Sequence, residues 1–500
     1  MNFSRRDFSK MILGAAALGL IESSTVAKVL GQTKRSMLWL SMQNASGEGR
    51  WTNLKIEGKL PKELNGTLFR TTPGQMDNFG TQLDHLFDGD AYLSSWRFRE
   101  GKVELQGRFV PTPSRLKELE AKKMLFNEFG SFAPDRNNSG KNQPSVNVVE
   151  WNGKLLGLSE FGLPTIINPN TFDFEGYESF NGAIPDYIAF TAHPRFDPIT
   201  GDMFAWGVEK RPSGNIHVYH IERKTNKANL LYKIPLNGIF MTHDSMLTEN
   251  YFLLMVPPMQ YDIMSWVSRN KTLSDTLKFV ESQPTRLFAL PRNNQNENAK
   301  PIQIELPPEI VFHYGNAYEI DKDKIVFEMV STQDKILLET LGQWRRNQTH
   351  DTNFNHLPQT LKQVTVDLSK RSASSRVELA KSVELPRYDL RLTGQKARFL
   401  YATERVNAEN AAIVRVDLQK KTSIKAHAGK TRTFGEPVFV QRTSAVNEER
   451  GWIFAQGYDG NKNESFLEIR DAQTLEFESR IWAGGQCLPL GFHGNFYQSI

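Results

Sequence analysis

The sequence predicts an all-β protein, and two observations indicate this class. Short runs rich in β-branched and aromatic residues recur along the 500-residue chain between clusters of turn-forming residues. Long helical segments do not alternate with these runs. Many short strands at regular spacing are typical of a sandwich, a barrel or a propeller, and this length favours a propeller with insertions.

The predicted strands are bounded by residues that favour tight turns. Asn152-Gly153, Thr200-Gly201-Asp202 and Asp459-Gly460 predict hairpin turns, because these residue types accept the backbone angles that such turns need. The chain is therefore expected to be mostly antiparallel, although no strict sequence repeat marks the blades of a propeller. The clearest predicted strands are residues 154–158, 202–206, 215–219, 251–256, 324–330, 412–416, 437–440 and 451–455.

Two stretches depart from the β pattern. Between residues 258 and 279, apolar side chains fall at near-helical spacing with polar residues between them. Residues 115–129 are also helix-like. Each stretch is expected to be either a helix packed on the core or a helix that lies at a membrane interface.

Composition and charge exclude two features. The formal net charge is +5, and no long block of Lys or Arg could track a phosphate backbone, so nucleic acid is not an expected partner. Cys487 is the only cysteine, which excludes an intrachain disulfide. The 39% hydrophobic content is enough to build a large core.

The N-terminus has the layout of an export signal. Arg5 and Arg6 precede an apolar run over residues 11–21, and small residues including Ala27 follow. This pattern predicts a twin-arginine signal over residues 1–27 and a linker or N-terminal extension over residues 28–50. The apolar run is shorter than the roughly 18 residues that span a bilayer. The alternative is a chance arginine pair in an ordinary secretory signal. The mature protein is expected to be periplasmic or extracellular, either free or membrane-associated.

Four histidines lie in motifs that occur in a recognisable order. The motifs are Thr191-Ala192-His193-Pro194, Thr242-His243-Asp244, His313-Tyr314-Gly315-Asn316 and Gly491-Phe492-His493-Gly494. Together with residues 61–70 and 86–90, they resemble motifs of the carotenoid oxygenase family. The resemblance runs from about Leu60 to the C-terminus. It implies a single propeller domain over residues 51–500, with seven blades and a loop and helix dome over an axial metal site.

The resemblance also implies the metal site. His193, His243, His313 and His493 would bind Fe(II), and a six-coordinate ion would keep two open positions for O₂ or water. Imidazole ligands alone do not exclude zinc, copper or nickel, so iron is implied by the resemblance only. The other six histidines fall outside these motifs: His85, His217, His220, His350, His356 and His427.

Three glutamates match family positions that hold the ligand histidines. Glu160, Glu384 and Glu436 would each accept a hydrogen bond from the second ring nitrogen of a ligand histidine, which fixes its tautomer. Val146 matches a position where the family places Thr or Val against a vacant coordination site, and its alternative role is that of a strand core residue. No catalytic group beyond the metal centre and no organic cofactor are expected.

The implied reaction is oxidative cleavage of a conjugated C=C bond in a carotenoid or apocarotenoid, which gives two carbonyl products. The expected partners are an apolar polyene and O₂. A membrane contact is also expected, and its residues would be Met259, Ile263, Met264, Trp266 and Val267.

Three other functions stay open: a stilbene-cleaving dioxygenase, a non-oxidative retinoid isomerase, and a non-catalytic carotenoid-binding protein. Ser159 argues against the first, since stilbene-cleaving relatives have a lysine there. The complete set of ligand motifs argues against the last.

Overall fold

The computed structural model describes residues 36–135, 140–211, 213–342, 358–407, 409–442 and 448–498. The predicted export signal over residues 1–27 lies outside this range, as do residues 28–35 of the predicted linker, His350 and His356. Within the described residues, no helix is long and apolar enough to cross a membrane.

Strands make up most of the regular structure in the described residues. The strands of the first half are β1 (Gly49–Trp51), β2 (Ile56–Gly58), β3 (Gly66–Pro73), β4 (Asp77–Asn78), β5 (Thr81–Gln82), β6 (Ala91–Arg99), β7 (Lys102–Phe109), β8 (Asn147–Trp151), β9 (Lys154–Leu158), β10 (Thr165–Ile167), β11 (Phe174–Tyr177), β12 (Ile188–Phe190), β13 (Arg195–Phe196), β14 (Met203–Glu209), β15 (Ile216–Glu222), β16 (Lys227–Ile234), β17 (Ser245–Leu247) and β18 (Tyr251–Val256). The strands of the second half are β19 (Met259–Tyr261), β20 (Leu277–Phe279), β21 (Thr285–Pro291), β22 (Ile302–Leu306), β23 (Ile310–Asp321), β24 (Lys324–Thr332), β25 (Thr360–Asp367), β26 (Ser372–Lys381), β27 (Val383–Arg387), β28 (Phe399–Asn407), β29 (Asn410–Asp417), β30 (Thr422–His427), β31 (Arg432–Gln441), β32 (Gly451–Asp459), β33 (Glu464–Asp471), β34 (Phe477–Trp482) and β35 (Gly494–Tyr497).

These strands form the seven antiparallel blades of a propeller, so the predicted fold class is confirmed. Blade 1 has the order β1-β7-β6-β3-β35, blade 2 is β8 to β11, and blade 3 contains β12 to β16. Blade 4 is β17-β18-β21-β22, blade 5 is β23 to β26, blade 6 is β27 to β30, and blade 7 is β31 to β34 with β2 at its edge. Blades 6 and 7 share one sheet through a parallel bridge between Asn410 and Arg432.

The two ends of the chain close the ring. Strand β35, at the C-terminus, pairs with β3 near the N-terminus, and Arg70 lies opposite Gly494 in this register. Strand β2 pairs with β34 of the last blade in the same way. Closure therefore depends on antiparallel pairs between the first and last parts of the described chain.

The core lies between neighbouring blades. Trp96 of blade 1 is fully buried in one cluster with Phe454 and Leu467 of blade 7. Leu253 of blade 4 packs in another cluster with Phe327 of blade 5. Burying each such side chain contributes about 1.5–3 kcal/mol, so the contacts between blades stabilise the ring as well as each sheet.

Helices in the described residues are short and lie in the connections. They are α1 (Met37–Ser41), α2 (Pro113–Ala121), α3 (Ile263–Val267), α4 (Leu273–Thr276) and α5 (Ile336–Gly342), with a 3₁₀ turn at Leu390–Leu392. Two features fix the start of α2. The Thr112 side chain accepts a hydrogen bond from the backbone N–H of Arg115, and Pro113 lies in the first turn.

The helix expected over residues 115–129 is shorter and buries an unexpected face. α2 ends at Ala121, and its Leu116 and Leu119 are exposed, whereas Glu118 is fully buried. Lys141 contacts the Glu118 carboxylate at 3.0 Å, and that carboxylate also accepts two backbone N–H groups from the following turn. A buried charge pair, rather than apolar spacing, therefore sets the orientation of this helix.

The stretch from residue 258 to 279 is not one helix. It contains β19, α3, α4 and β20 in turn, and β19 pairs with β20. Met259 lies in β19 and is fully buried, so its predicted membrane contact is wrong. Met264, Trp266 and Val267 are 77%, 36% and 59% exposed, and Ile263 is half-buried.

Candidate metal centre

Four histidines meet where the edge strands of four blades converge. His193 lies between β12 and β13 of blade 3, and His243 precedes β17 of blade 4. His313 lies within β23 of blade 5, and His493 directly precedes β35 of blade 1. No two of their potential ligand nitrogens are more than 4.8 Å apart. The structure thus brings together all four histidines that the motifs single out.

The spacing of the ring nitrogens fits one metal ion. The Nε2 atoms of His193 and His243 are 3.0 Å apart, those of His243 and His313 are 3.2 Å apart, and those of His313 and His493 are 3.1 Å apart. Ligands about 2.1 Å from a common ion lie about 3.0 Å apart at right angles and about 3.4 Å apart in a tetrahedron. The observed spacings are nearer to the first arrangement, which leaves room for further ligands.

Three of the rings have a carboxylate at the opposite nitrogen. Glu384 lies 2.7 Å from Nδ1 of His313, and Glu436 lies 2.8 Å from Nδ1 of His493. A carboxylate accepts a hydrogen bond from Nδ1–H, which keeps the proton on Nδ1, so the lone pair of Nε2 faces the centre. Converging lone pairs repel one another unless a cation lies between them, and this donor set therefore fits a metal ion.

The third pair has a different geometry. Glu160 Oε1 is 2.8 Å from Nδ1 of His243, but the ring N–H is not aligned with it for a hydrogen bond. We interpret this contact as an ion–dipole pair that a small rotation of either side chain would convert into a hydrogen bond. Glu160 is also 24% exposed, whereas Glu436 is 1% exposed.

Two of these glutamates depend on left-handed backbone. Glu160 has φ = +62°, and Leu385, directly after Glu384, has φ = +58°. Such angles cost on the order of 1–3 kcal/mol for residues other than glycine and persist where surrounding contacts enforce them. At these two positions the backbone turns sharply beside a carboxylate that contacts a histidine.

His193 has no glutamate partner among the described residues. The nearby carboxylate is Asp244, whose Oδ1 is 3.9 Å from Nδ1 of His193 and 2.6 Å from the Arg195 guanidinium. Burial lowers the pKa of His193 well below its usual value, and the neighbouring histidines and Arg195 lower it further. His193 is thus held neutral, as a metal ligand must be.

Electrostatics in the centre favour ionised glutamates. Burial alone would raise the pKa of Glu436, but Arg387, His493 and Arg70 lower it to about 2. Burial likewise opposes ionisation of Glu384, yet His313 brings its pKa below the usual value. Burial lowers the pKa of His493 to about 4 despite Glu436. These carboxylates therefore stay charged at neutral pH and attract a cation.

Two buried arginines belong to the same network, and the sequence did not assign them a role. Arg387 is 3.1 Å from Glu436 Oε1, and Arg70 is 3.6 Å from Glu436 Oε2. Arg70 also donates to the backbone oxygen of Leu490 at 3.0 Å. Arg70 ends the motif segment 61–70, and Arg387 lies three residues after Glu384. Their places beside motif residues were the available signal, because a buried charge requires an oppositely charged partner.

Val146 lies beside the centre without a described contact to its imidazoles. It is half-buried against the cluster that contains Ala192, and its backbone N–H donates to Leu158 at 3.1 Å. The adjacent Asn147 donates to the backbone oxygen of Ala192, the residue before His193, at 2.8 Å. The role of Val146 at a vacant coordination site stays a prediction.

Two of the described histidines outside the motifs have carboxylate partners of their own. His217 lies 2.9 Å from Glu209, and His220 lies 2.9 Å from Asp202. Neither belongs to the four-histidine cluster.

A cavity of about 220 Å³ lies near His243, although none of the four clustered histidines is among its lining residues. Met241, two residues before His243, lines it, as does Phe312, whose ring centroid is 6.0 Å from that of His243. Seven of its eleven lining residues are apolar. The lining comes from the segments after β5 and after α2, from α4, β20 and α5, from the segment before β17, and from β23. The remaining lining residues are His85, Phe87, Phe129, Ser274, Asp275, Leu277, Leu338, Glu339 and Leu341.

Comparison with known proteins identifies the family. Residues 42–498 match the family model described as Retinal pigment epithelial membrane protein. Apocarotenoid-15,15'-oxygenase from Synechocystis is 25% identical over 473 residues, which cover 89% of this chain and 92% of that protein. Isoeugenol monooxygenase from Pseudomonas putida is 27% identical over 445 residues, which cover 85% and 89%.

A solved structure supports the fold. The Glu150Gln mutant of Synechocystis apocarotenoid oxygenase superposes with a TM-score of 0.84 at 23% identity, covering 93% of this chain and all of that one. Because the family model spans nearly the whole chain, the resemblance indicated by the four histidine motifs is confirmed. This chain belongs to the Retinal pigment epithelial membrane protein family, which is the carotenoid oxygenase family.

Proposed function

We propose that this protein is an iron(II)-dependent dioxygenase that cleaves a conjugated C=C bond of a carotenoid or apocarotenoid into two carbonyl products. The observation that carries the proposal is the convergence of four imidazoles, with a cavity nearby in which seven of the eleven lining residues are apolar. His193, His243, His313 and His493 would be the ligands, and Glu160, Glu384 and Glu436 would hold three of them in position.

Each part of the site has a role that its chemistry allows. A ferrous ion, when bound, would supply activation of O₂ at positions that the imidazoles leave open. Glu384 and Glu436 keep the protons of His313 and His493 on Nδ1, so Nε2 stays available to a metal. Met241 and Phe312 form apolar walls, which bind a polyene and exclude water from reactive intermediates.

Iron is favoured over zinc by the proposed reaction. Imidazole ligands suit both ions, but zinc has no redox chemistry and does not activate O₂. The choice of iron therefore depends on oxidative cleavage being the activity.

The substrate class is supported by the relatives. The Synechocystis protein acts on an apocarotenoid, which favours a polyene here. The Pseudomonas putida protein acts on isoeugenol at similar identity and coverage, so a smaller aromatic alkene is the second candidate.

Product analysis tests the proposal. Protein purified without oxygen should contain about one iron per chain and should convert a polyene to two carbonyl fragments in ¹⁸O₂. Both fragments should carry ¹⁸O before exchange with water, as mass spectrometry of quenched samples would show. A changed isomer without fragments would indicate an isomerase, intact bound pigment would indicate a binding protein, and cleavage of isoeugenol alone would favour the second candidate.

We also propose that the protein contacts a membrane through α3, which would give access to a substrate of very low aqueous solubility. Met264, Trp266 and Val267 are exposed on this helix, and Arg269 and Lys271 follow it. Export by the twin-arginine route, which we retain as a proposal, would place this surface in the periplasm or outside the cell. Apolar side chains flanked by basic residues suit reversible adsorption to anionic lipid.

Charge reversal on α3 should weaken this contact. The double variant Met264→Glu and Trp266→Glu should lower the affinity for liposomes about a hundredfold, because burying each side chain contributes about 1.5 kcal/mol or more. Co-sedimentation would measure this loss. Turnover of detergent-solubilised substrate should stay nearly constant. Ile199→Glu is the matched control, since Ile199 is an 87% exposed apolar residue in a turn of blade 3. Equal sedimentation of the double variant and wild type would refute the contact.

A further inference from the structure

One carboxylate contacts the chain beside three of the four clustered histidines. Asp244 directly follows His243 in blade 4. Its Oδ1 atom lies 2.6 Å from the guanidinium of Arg195, which follows His193 by two residues in blade 3. Its Oδ2 atom accepts a hydrogen bond at 3.1 Å from the backbone N–H of the residue that follows His313 in blade 5. The Asp244 side chain therefore joins three blades at the points where they carry their histidines.

Further hydrogen bonds fix the geometry of this ion pair. The Nε atom of Arg195 donates to the backbone oxygen of Ser245 at 2.7 Å, and the backbone N–H of Ser245 donates to Asp244 Oδ1 at 2.6 Å. The Ser245 hydroxyl donates to the backbone oxygen of His193 at 3.3 Å. Both members of the ion pair thus have more than one partner, and the backbone of His193 is tied directly to blade 4.

Stability alone is a weak reason for this ion pair. The side chains of Asp244 and Arg195 are only 3% and 13% exposed, and a buried ion pair adds little stability compared with an apolar pair of similar volume. His193 is also the clustered histidine that lacks a glutamate partner among the described residues. Its Nδ1 atom is 3.9 Å from Asp244 Oδ1, which is too long for a hydrogen bond. Contacts to the backbone are therefore the means by which this ion pair acts on the cluster.

We propose that the Asp244–Arg195 ion pair is a positioning element of the metal centre, which holds the segments of His193, His243 and His313 at the spacing that a metal ion requires. The inference rests on the metal site of the proposed function. The glutamates orient individual rings, whereas this ion pair sets the distances between ligands from different blades. Ligands that are already in place need less rearrangement when the ion binds, so the ion pair should tighten metal binding without touching the metal or the substrate.

Metal titration and hydrogen exchange test the proposal on protein stripped of metal. Asp244→Asn keeps the size of the side chain, but it removes the charge and replaces one acceptor oxygen by a donor. Titration with Co²⁺, followed by its visible absorption bands, should give a Kd about 10- to 100-fold higher than for wild type, the usual effect of losing a group that orients metal ligands. Before metal is added, the backbone amides of Ser245 and Tyr314 should exchange faster, because both donate to Asp244.

A second aspartate–arginine pair provides the matched control. Asp197 of blade 3 pairs with Arg292 of blade 4, and Arg292 also donates to the backbone oxygen of Thr248 at 2.9 Å. This pair joins the same two blades through the same residue types, but it does not contact the residues next to His243 or His313. Asp197→Asn should lower the melting temperature about as much as Asp244→Asn does, while it retains the wild-type Kd for Co²⁺.

Substitutions of the arginine test the ion pair from its other side. Arg195→Gln should weaken Co²⁺ binding as Asp244→Asn does, and Arg195→Lys, which retains the charge, should recover part of the loss. These variants also decide the question if Asp244→Asn does not fold. Equal Kd values for wild type and the variants of this pair, or equal losses in Asp244→Asn and Asp197→Asn, would overturn the inference. Wild type that binds Co²⁺ but, loaded with iron, cleaves no polyene would defeat the proposed reaction instead, since the titration does not depend on turnover.

Discussion

Replacing His313 by alanine should abolish both bound iron and polyene cleavage. Nε2 of His313 lies 3.2 Å from that of His243 and 3.1 Å from that of His493, so this ring occupies the middle of the nitrogen cluster. Its loss would leave three imidazoles, would remove the ring that lies between His243 and His493, and would leave Glu384 without its histidine partner. We expect iron content below a tenth of wild type and turnover below detection, measured by elemental analysis and product assay.

The matched control is His427→Ala, because His427 is an exposed histidine on β30, outside the cluster. It should retain wild-type iron and turnover. Circular dichroism and a thermal melt would show that His313→Ala is folded, and added imidazole should restore part of its iron by occupying the vacated space. Wild-type iron stoichiometry in folded His313→Ala would contradict the ligand assignment.

Glu436→Gln should weaken both the metal centre and the fold. The carboxylate fixes His493, and losing such a partner typically lowers metal affinity or activity about 10- to 100-fold. The same group is the shared partner of Arg70 and Arg387, and removing one member of a buried ion pair costs about 3–5 kcal/mol. A large drop in melting temperature should therefore accompany the loss of iron.

Glu384→Gln should separate the loss of metal affinity from the loss of fold stability. Glu384 holds His313 as Glu436 holds His493, but its other described hydrogen bonds come from Gln359 and from the backbone N–H of Leu385 rather than from arginine. It should lose iron to a similar extent with a much smaller change in melting temperature. Equal stability losses in the two variants would show that the arginines do not depend on Glu436.

Local sequence signals located the strands well. Residues 154–158 and 251–256 are strands at the predicted bounds, since β-branched and large apolar residues there end at turn-forming residues. Asn152 and Gly153 both have positive φ, at 51° and 80°, as the predicted two-residue hairpin requires. The blade arrangement had no such signal, because the pairing of strands between blades is set by contacts far apart in the sequence.

The candidate site was only partly accessible from sequence. Ordered motifs identified the four histidines, but nothing local placed Asp244 beside His193 or Arg70 beside Glu436, since these pairs join different blades. Hydrophobic periodicity predicted the wrong exposure for Met259 and Glu118. The pairing of β19 with β20 buries Met259, and the ion pair with Lys141 buries Glu118.

The pairing of β3 with β35 also couples the histidine cluster to closure of the ring. His493 directly precedes β35, so its imidazole stays in the cluster only while residues 494–497 remain paired with the first blade. A metal ion bound by all four histidines would therefore hold this strand pair closed. Without the ion, the pair would depend on its backbone hydrogen bonds and packing alone.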